Sequence, residues 1–99
     1  MEPIVITAVL KAKAGHEKEL EQALLAVLQP SREEEGCIQY DLHQSTDDPS
    51  VFVFYERWAN EAALNAHIHS DHYGHYRQHA EELVETREVY RLRLATGHH

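Results

Sequence analysis

The sequence predicts an α+β domain: one antiparallel sheet of four strands with helical segments on one face. Three observations carry this expectation. Ile4–Lys13 (IVITAVLKAK) is rich in β-branched residues and reads as a strand. Two more apolar runs, Cys37–Ser45 and Val51–Trp58, flank Thr46-Asp47-Asp48-Pro49-Ser50, whose residue types build turns. Two stretches between and after these place apolar residues at helical spacing. The order is β-α-β-β-α-β, the split, ferredoxin-like plan.

The first strand is bounded by Pro3 and Gly15, and both of its faces are largely apolar in the middle. His16–Glu35 is the clearest helix. Leu20, Ala23, Leu24, Val27 and Leu28 form a core stripe, and Glu17, Lys18, Glu21 and Gln22 fill the wet side. Pro30 predicts a break near Gln29 and a short second piece, because proline lacks the helical N–H. Gly36 ends the helix. The second strand puts Ile38, Tyr40 and Leu42 on one side. The third puts Phe52, Phe54, Glu56 and Trp58 on one face and Val51, Val53, Tyr55 and Arg57 on the other. Asn60 is placed to cap the next helix, whose inward stripe is Ala63, Leu64, His67 and Ile68. Ser70-Asp71 interrupts it. A second piece follows to about Glu85, with Tyr73, Tyr76, Ala80 and Leu83 on one face and His72, His75, His79 and Glu82 on the other. Thr86–Ala95 closes the sheet.

With 99 residues, the chain fits one small domain, assigned to residues 1–96. Gly97-His98-His99 resembles a tag remnant and is set aside. The formal net charge of −8 argues against nucleic acid and anionic membrane surfaces, since phosphate binding needs clustered Lys and Arg. No run is long enough to cross a bilayer, and Met1-Glu2-Pro3 lacks the basic start of a secretory signal. A single cysteine, Cys37, excludes an intrachain disulfide and fits a reducing cytoplasm. Helices on one face leave the doubly apolar first and third strands uncovered on the other. An identical sheet would cover them, so a homodimer packed sheet to sheet is expected.

His67 lies on an apolar helix face, either as a hydrogen-bonded core residue or, where water is scarce, as a general base or a donor to a developing oxyanion. Glu56 is a carboxylate in a large apolar strand. A buried carboxylate needs a partner, here an arginine such as Arg91 or Arg93, or its pKa rises and it becomes neutral; as a functional group it orients His67 or binds substrate. Trp58, Tyr40, Tyr73 and Tyr76 are core aromatics or the walls of an aromatic-binding cavity. His69, His72, His75 and His79 do not complete a recognised metal shell by their spacing. Glu33-Glu34-Glu35 reads as a solvated helix end, and Cys37 as packing.

Ser31–Tyr73 contains E-G-C-x-x-Y, D-D-P-x-x-F, Y-E-x-W and A-L-x-x-H-x-x-S-x-H-Y. In this order and spacing they resemble the antibiotic biosynthesis monooxygenase domain family of dimeric α+β-barrel proteins, and the framing strands agree. The family includes cofactor-free quinol and polyketide oxygenases, haem-degrading relatives and an isomerase of a phosphorylated sugar. Haem-degrading relatives use an Asn on the first strand, a helical Trp and a helical His. Here Ile4–Lys13 contains no Asn, His67 stands at the Trp position and Arg77 near the ligating His, so haem degradation is not expected. The S-x-H-Y match adds His72 to the site.

The resemblance and the residues together imply a cofactor-independent monooxygenase acting on a quinol, phenol or polycyclic aromatic with molecular oxygen. His67, Glu56 and Tyr73 are its expected catalytic groups. Trp58, Tyr40, Tyr76 and His72 are expected against the substrate, with no metal or other cofactor. The alternatives are an enolising isomerase of a small carbonyl compound, which would want an Arg or Lys in its cavity, and a non-catalytic ligand-binding stress module.

Overall fold

The computed structural model describes residues 2–96, so the suggested tag remnant at 97–99 lies outside the described residues. The elements are β1 (Ile4–Ala12), α1 (Glu17–Arg32), β2 (Cys37–Gln44), β3 (Val51–Trp58), α2 (Glu61–Ile68), α3 (Asp71–Glu81) and β4 (Val84–Leu92). The four strands form one antiparallel sheet in the order β2-β3-β1-β4, with β1 between β3 and β4. This is the βαββαβ plan expected, with its second helical region split in two.

The strand period of two decides the faces. Ala8, Leu10 and Ala12 of β1 and Phe52, Phe54, Glu56 and Trp58 of β3 are buried beneath the helices. Leu20, Ala23, Leu24 and Val27 of α1 supply the facing stripe. The opposite sheet face carries rows read from the strand register. Tyr55, Thr7 and Tyr90 form one; Arg57, Val5 and Leu92 a second; Val53, Val9 and Glu88 a third. In the single chain the β1 and β3 members of these rows are half-buried, and Tyr90 and Leu92 are exposed.

Three expectations need correction. Helix α1 does not break at Gln29; it runs through Pro30 to Arg32. Pro30 sits in the last turn, where the missing N–H removes one hydrogen bond near the helix end. The buried stripe continues past it to Ser31, whose hydroxyl donates to the Val27 carbonyl at 2.7 Å. Strand β4 begins at Val84 and ends at Leu92, not Thr86–Ala95. There Ala12 pairs with Val84 across an irregularity in the register. Ile68, expected to be buried on the inward stripe, faces the space between sheet and helices at the end of α2 but is 43% exposed.

The turn after α1 is set by Gly36, at φ +87°. Its carbonyl accepts from Ala59 N–H at 2.8 Å, which ties the turn to the start of α2. A methyl group at Gly36 would come within 2.5 Å of Ala63 Cβ. Only glycine meets both the left-handed conformation and that close approach.

Candidate functional site

Helix α2 opens on Asn60, whose side chain accepts from Ala63 N–H at 2.9 Å. Seven residues after the cap, His67 enters the last turn with 1% of its surface exposed. Ser70 caps α3, accepting from Tyr73 N–H, and its hydroxyl donates to the His67 carbonyl at 2.7 Å. One serine thus fixes both the end of α2 and the start of α3. Tyr73 and Tyr76 then lie beside His67, with the Tyr73 ring 4.8 Å from it and 5.6 Å from Tyr76.

Sheet and helices enclose a cavity of about 100 Å³. Tyr40, Glu56, His67, Tyr73 and Tyr76 all line it, as do Arg87 and Val89 from β4. Five of the seven site residues expected from sequence therefore meet in one place. The other two do not reach it. Trp58 is fully buried and lies behind the cavity, its ring 4.5 Å from His67 and tilted by 32°. His72 borders a separate crevice between α1 and α3, lined also by His75 and His79.

His67 Nδ1 lies 2.8 Å from Glu34 Oε1. A carboxylate only accepts, so Nδ1 carries the proton and a neutral ring keeps its lone pair on Nε2. That Nε2 is buried and has no hydrogen-bond partner. Burial favours the neutral imidazole and pushes it below its usual pKa, against the opposing pull of Glu34, which favours the charged form. The result is a basic nitrogen with no partner, on a ring that lines a mostly apolar cavity.

Glu34 is the residue that sequence reading missed. It looked like one member of an acidic helix end. In the structure its side chain is 14% exposed, and its Oε1 also meets His72 Nε2 at 2.6 Å. Two imidazoles thus converge on one carboxylate oxygen. The side-chain spacing did suggest that no metal shell completes. The ligand atoms of Glu34, His67 and His72 nonetheless lie within 4.8 Å of one another, because the donors come from three different segments.

Among the described residues Glu56 makes neither the expected ion pair with an arginine nor a hydrogen bond to His67. It accepts from Trp58 Nε1 at 2.9 Å, while Arg91 pairs with Glu61 and Arg93 is exposed. Neighbours two apart on a strand share a face, and that brings the indole N–H to the carboxyl. Burial raises the Glu56 pKa from 4.5 to about 7; the Trp58 bond opposes the rise and the Glu34 charge adds to it.

Arg87 was also missed. It donates to Tyr76 Oη at 3.0 Å, and its guanidinium carbon lies 5.5 Å from the centre of that ring. Its Nη2 is buried without a partner, and no carboxylate pairs with Arg87 among the described residues. Arg87 is itself half-buried, but its buried, unpaired Nη2 favours an acceptor beside it. The cavity thus offers one unpartnered acceptor at His67 and one unpartnered cationic donor at Arg87. Cys37 stays a packing residue: burial raises its thiol pKa, and Glu34 and Glu56 add to that.

The model of the antibiotic biosynthesis monooxygenase family matches residues 3–88. "Uncharacterized protein sll1783" of Synechocystis is 29% identical over 83 residues, and the match spans 84% of this chain but only 56% of that relative. "Putative monooxygenase Rv0793" of Mycobacterium tuberculosis is 36% identical over 87 residues, 88% of this chain and 84% of the relative. Its structure superposes with a TM-score of 0.87, covering 93% of this chain and 94% of that one at 32% identity. The crystal structure of PA3566 from Pseudomonas aeruginosa gives a TM-score of 0.91 at 38% identity, covering 96% and 97% of the two chains. Family model, relatives and fold agree, and the chain belongs to the antibiotic biosynthesis monooxygenase family.

Proposed function

We propose that the protein is a cofactor-independent monooxygenase for a single-ring phenol or quinol, with His67 as its general base. The observation that carries this is the unpartnered Nε2 of a buried His67, its tautomer set by Glu34. Triplet oxygen reacts slowly with closed-shell molecules, but a phenolate can give it one electron directly. The protein's part is then to hold the ring, take its proton and stabilise the anion. For a phenol the sum is phenol plus O₂ to para-quinone plus water. The ring supplies all four electrons, and no external reductant enters.

His67 Nε2 takes the hydroxyl proton, and Glu34 stabilises the imidazolium that forms, as a carboxylate does behind a catalytic histidine. Arg87 Nη2 faces the negative oxygen. Tyr40, Phe54, Tyr73 and Tyr76 pack the ring. An engineered cavity of about 150 Å³ accepts benzene. At about 100 Å³ this one needs its rim to yield even for one ring, so a single ring suits it better than a polycyclic one.

The open sheet face supports a homodimer, with the Tyr55–Thr7–Tyr90 row buried between two copies. No helix among the described residues is long and apolar enough to cross a membrane. With one cysteine and no disulfide to maintain, we place the reaction in the cytoplasm.

A second reading draws on Arg87. A cation in the cavity also suits an enolising isomerase, where His67 would move a proton between carbons of an anionic carbonyl compound. Oxygen uptake on a panel of hydroquinones and phenols separates the two. The oxygenase reading expects uptake that falls about a hundredfold or more in His67→Ala. Solvent deuterium appearing beside a substrate carbonyl, without oxygen uptake, would instead establish the isomerase.

A further inference from the structure

We infer that Glu34, His67 and His72 form a binding site for one divalent transition-metal ion of the zinc type, and that its occupancy switches off the base at His67. The switch rests on the reading of His67 as a base; the binding site does not. His67 Nδ1 and His72 Nε2 approach the same carboxylate oxygen, at 2.8 and 2.6 Å. All three ligand atoms lie within 4.8 Å of one another. Two imidazoles and one carboxylate are a donor set zinc favours where three protein ligands leave one position open. With bonds of about 2.1 Å, tetrahedral ligands stand about 3.4 Å apart. The Glu34 oxygen therefore draws back by about 0.6 to 0.8 Å from the nitrogens, and the two ring nitrogens close toward each other to about 3.4 Å.

The donors are held in place beforehand. The His67 ring lies against Trp58, and Ser70 Oγ, which donates to the His67 carbonyl, sits 3.2 Å from His72 Nε2. The Glu34 carbonyl accepts from Cys37 N–H at 3.1 Å, which fixes the turn bearing its side chain. Partial exposure of His72 (27%) leaves a way in from solvent. The net charge of −8 concentrates cations around the chain.

The site lies behind the His67 ring as seen from the cavity, since Glu34 and His72 do not line that cavity. A metal there cannot deliver a bound water to the substrate. Its effect is on the ring proton. A metal on Nδ1 takes the lone pair there, so a neutral ring must carry its proton on Nε2. On His67 one proton moves from Nδ1 to Nε2; on His72 the proton that Nε2 shares with Glu34 moves to Nδ1, which frees Nε2 for the metal; and Glu34 stays a carboxylate. The acceptor facing the cavity becomes a donor, and the base is lost. The ion acts as an inhibitor rather than a cofactor.

The test uses the full chain carrying His98→Ala and His99→Ala, which removes that adjacent pair as a competing chelate. Chelator-treated protein is titrated with Co²⁺ and followed by ligand-field absorption, then displaced by Zn²⁺. One Co²⁺ per chain is expected. Changes to outer-shell partners alone weaken metal binding by about 10–100-fold, so loss of a ligand in His72→Ala should weaken it by about 100-fold or more. His75→Ala/His79→Ala should bind as the parent does. Binding that survives in His72→Ala, or vanishes in His75→Ala/His79→Ala, overturns the site; so does no binding at all. The switch is read separately, by ¹⁵N imidazole NMR with and without Zn²⁺. The His67 proton should move to Nε2. Stoichiometric binding with the proton still on Nδ1 overturns the switch. Failure of the oxygenase reading would show only in metal-free oxygen uptake, so the two failures stay distinguishable.

Discussion

Glu56→Gln tests whether a buried carboxyl is held neutral by the fold. Glu56 is 7% exposed, and its pKa is raised from 4.5 to about 7. A carboxyl whose folded pKa lies above its unfolded one holds its proton more tightly in the native state. Stability is then lost as pH rises from about 4.5 through about 7, and the loss is complete above that. That rise in pKa corresponds to about 3 kcal/mol. Glutamine cannot ionise, yet its carbonyl oxygen can still accept from Trp58 Nε1, as Glu56 does now. The variant should therefore gain on the parent by about 1 kcal/mol at pH 5 and about 3 kcal/mol at pH 8. Urea unfolding of both proteins at pH 5, 6, 7 and 8 gives the difference, in which contributions common to both chains cancel. Trp58 is the chain's only tryptophan, so its fluorescence should titrate near pH 7 in the parent and not in the variant. A stability difference that stays flat across this range would refute the raised pKa and the neutral carboxyl with it.

Arg87→Gln should weaken inhibition by benzoate, a ring bearing one anionic group, by about tenfold or more, since a hydrogen bond to a charged group contributes about 1.5–3 kcal/mol; unchanged inhibition would remove Arg87 from the ligand's anion. Gly36→Ala should destabilise the chain by about 3 kcal/mol, from the positive φ together with the contact with Ala63 Cβ. Adding Ala63→Gly should recover the steric part, and a double-mutant cycle with no coupling would show that the two segments do not press together. Light scattering at micromolar concentration should give about twice the 11.4 kDa chain mass, and Tyr55→Asp on the open face should return a monomer. A monomeric parent would leave the open sheet face without its proposed cover.

What the sequence showed, and what it hid, follows from the range of the interactions. Strand and helix faces depend on residues two to four apart. The even face of β3 and the inward stripe of α2 were therefore legible, and with them Glu56, His67 and the tyrosines of the cavity. Trp58 followed the same alternation, but period alone cannot tell a cavity wall from the layer behind it. Pro30 was misjudged because a local rule was applied near a helix end, where the lost hydrogen bond matters less than the burial of Val27 and Ser31 on either side. Glu34 meets its partners across 33 and 38 residues. Nothing in an acidic run marks one member for burial. The available signal was Gly36: a glycine two residues later, closing α1 against α2, brings a carboxylate from the end of one helix to the imidazole of the other. Arg87 is hidden in the same way. It sits among polar edge-strand residues, and only the placement of β4 beside β1 sets it against Tyr76. The site's framework is thus written in local periodicity. The two charges that give it chemical direction are set by the turn and the strand order, which bring distant segments together.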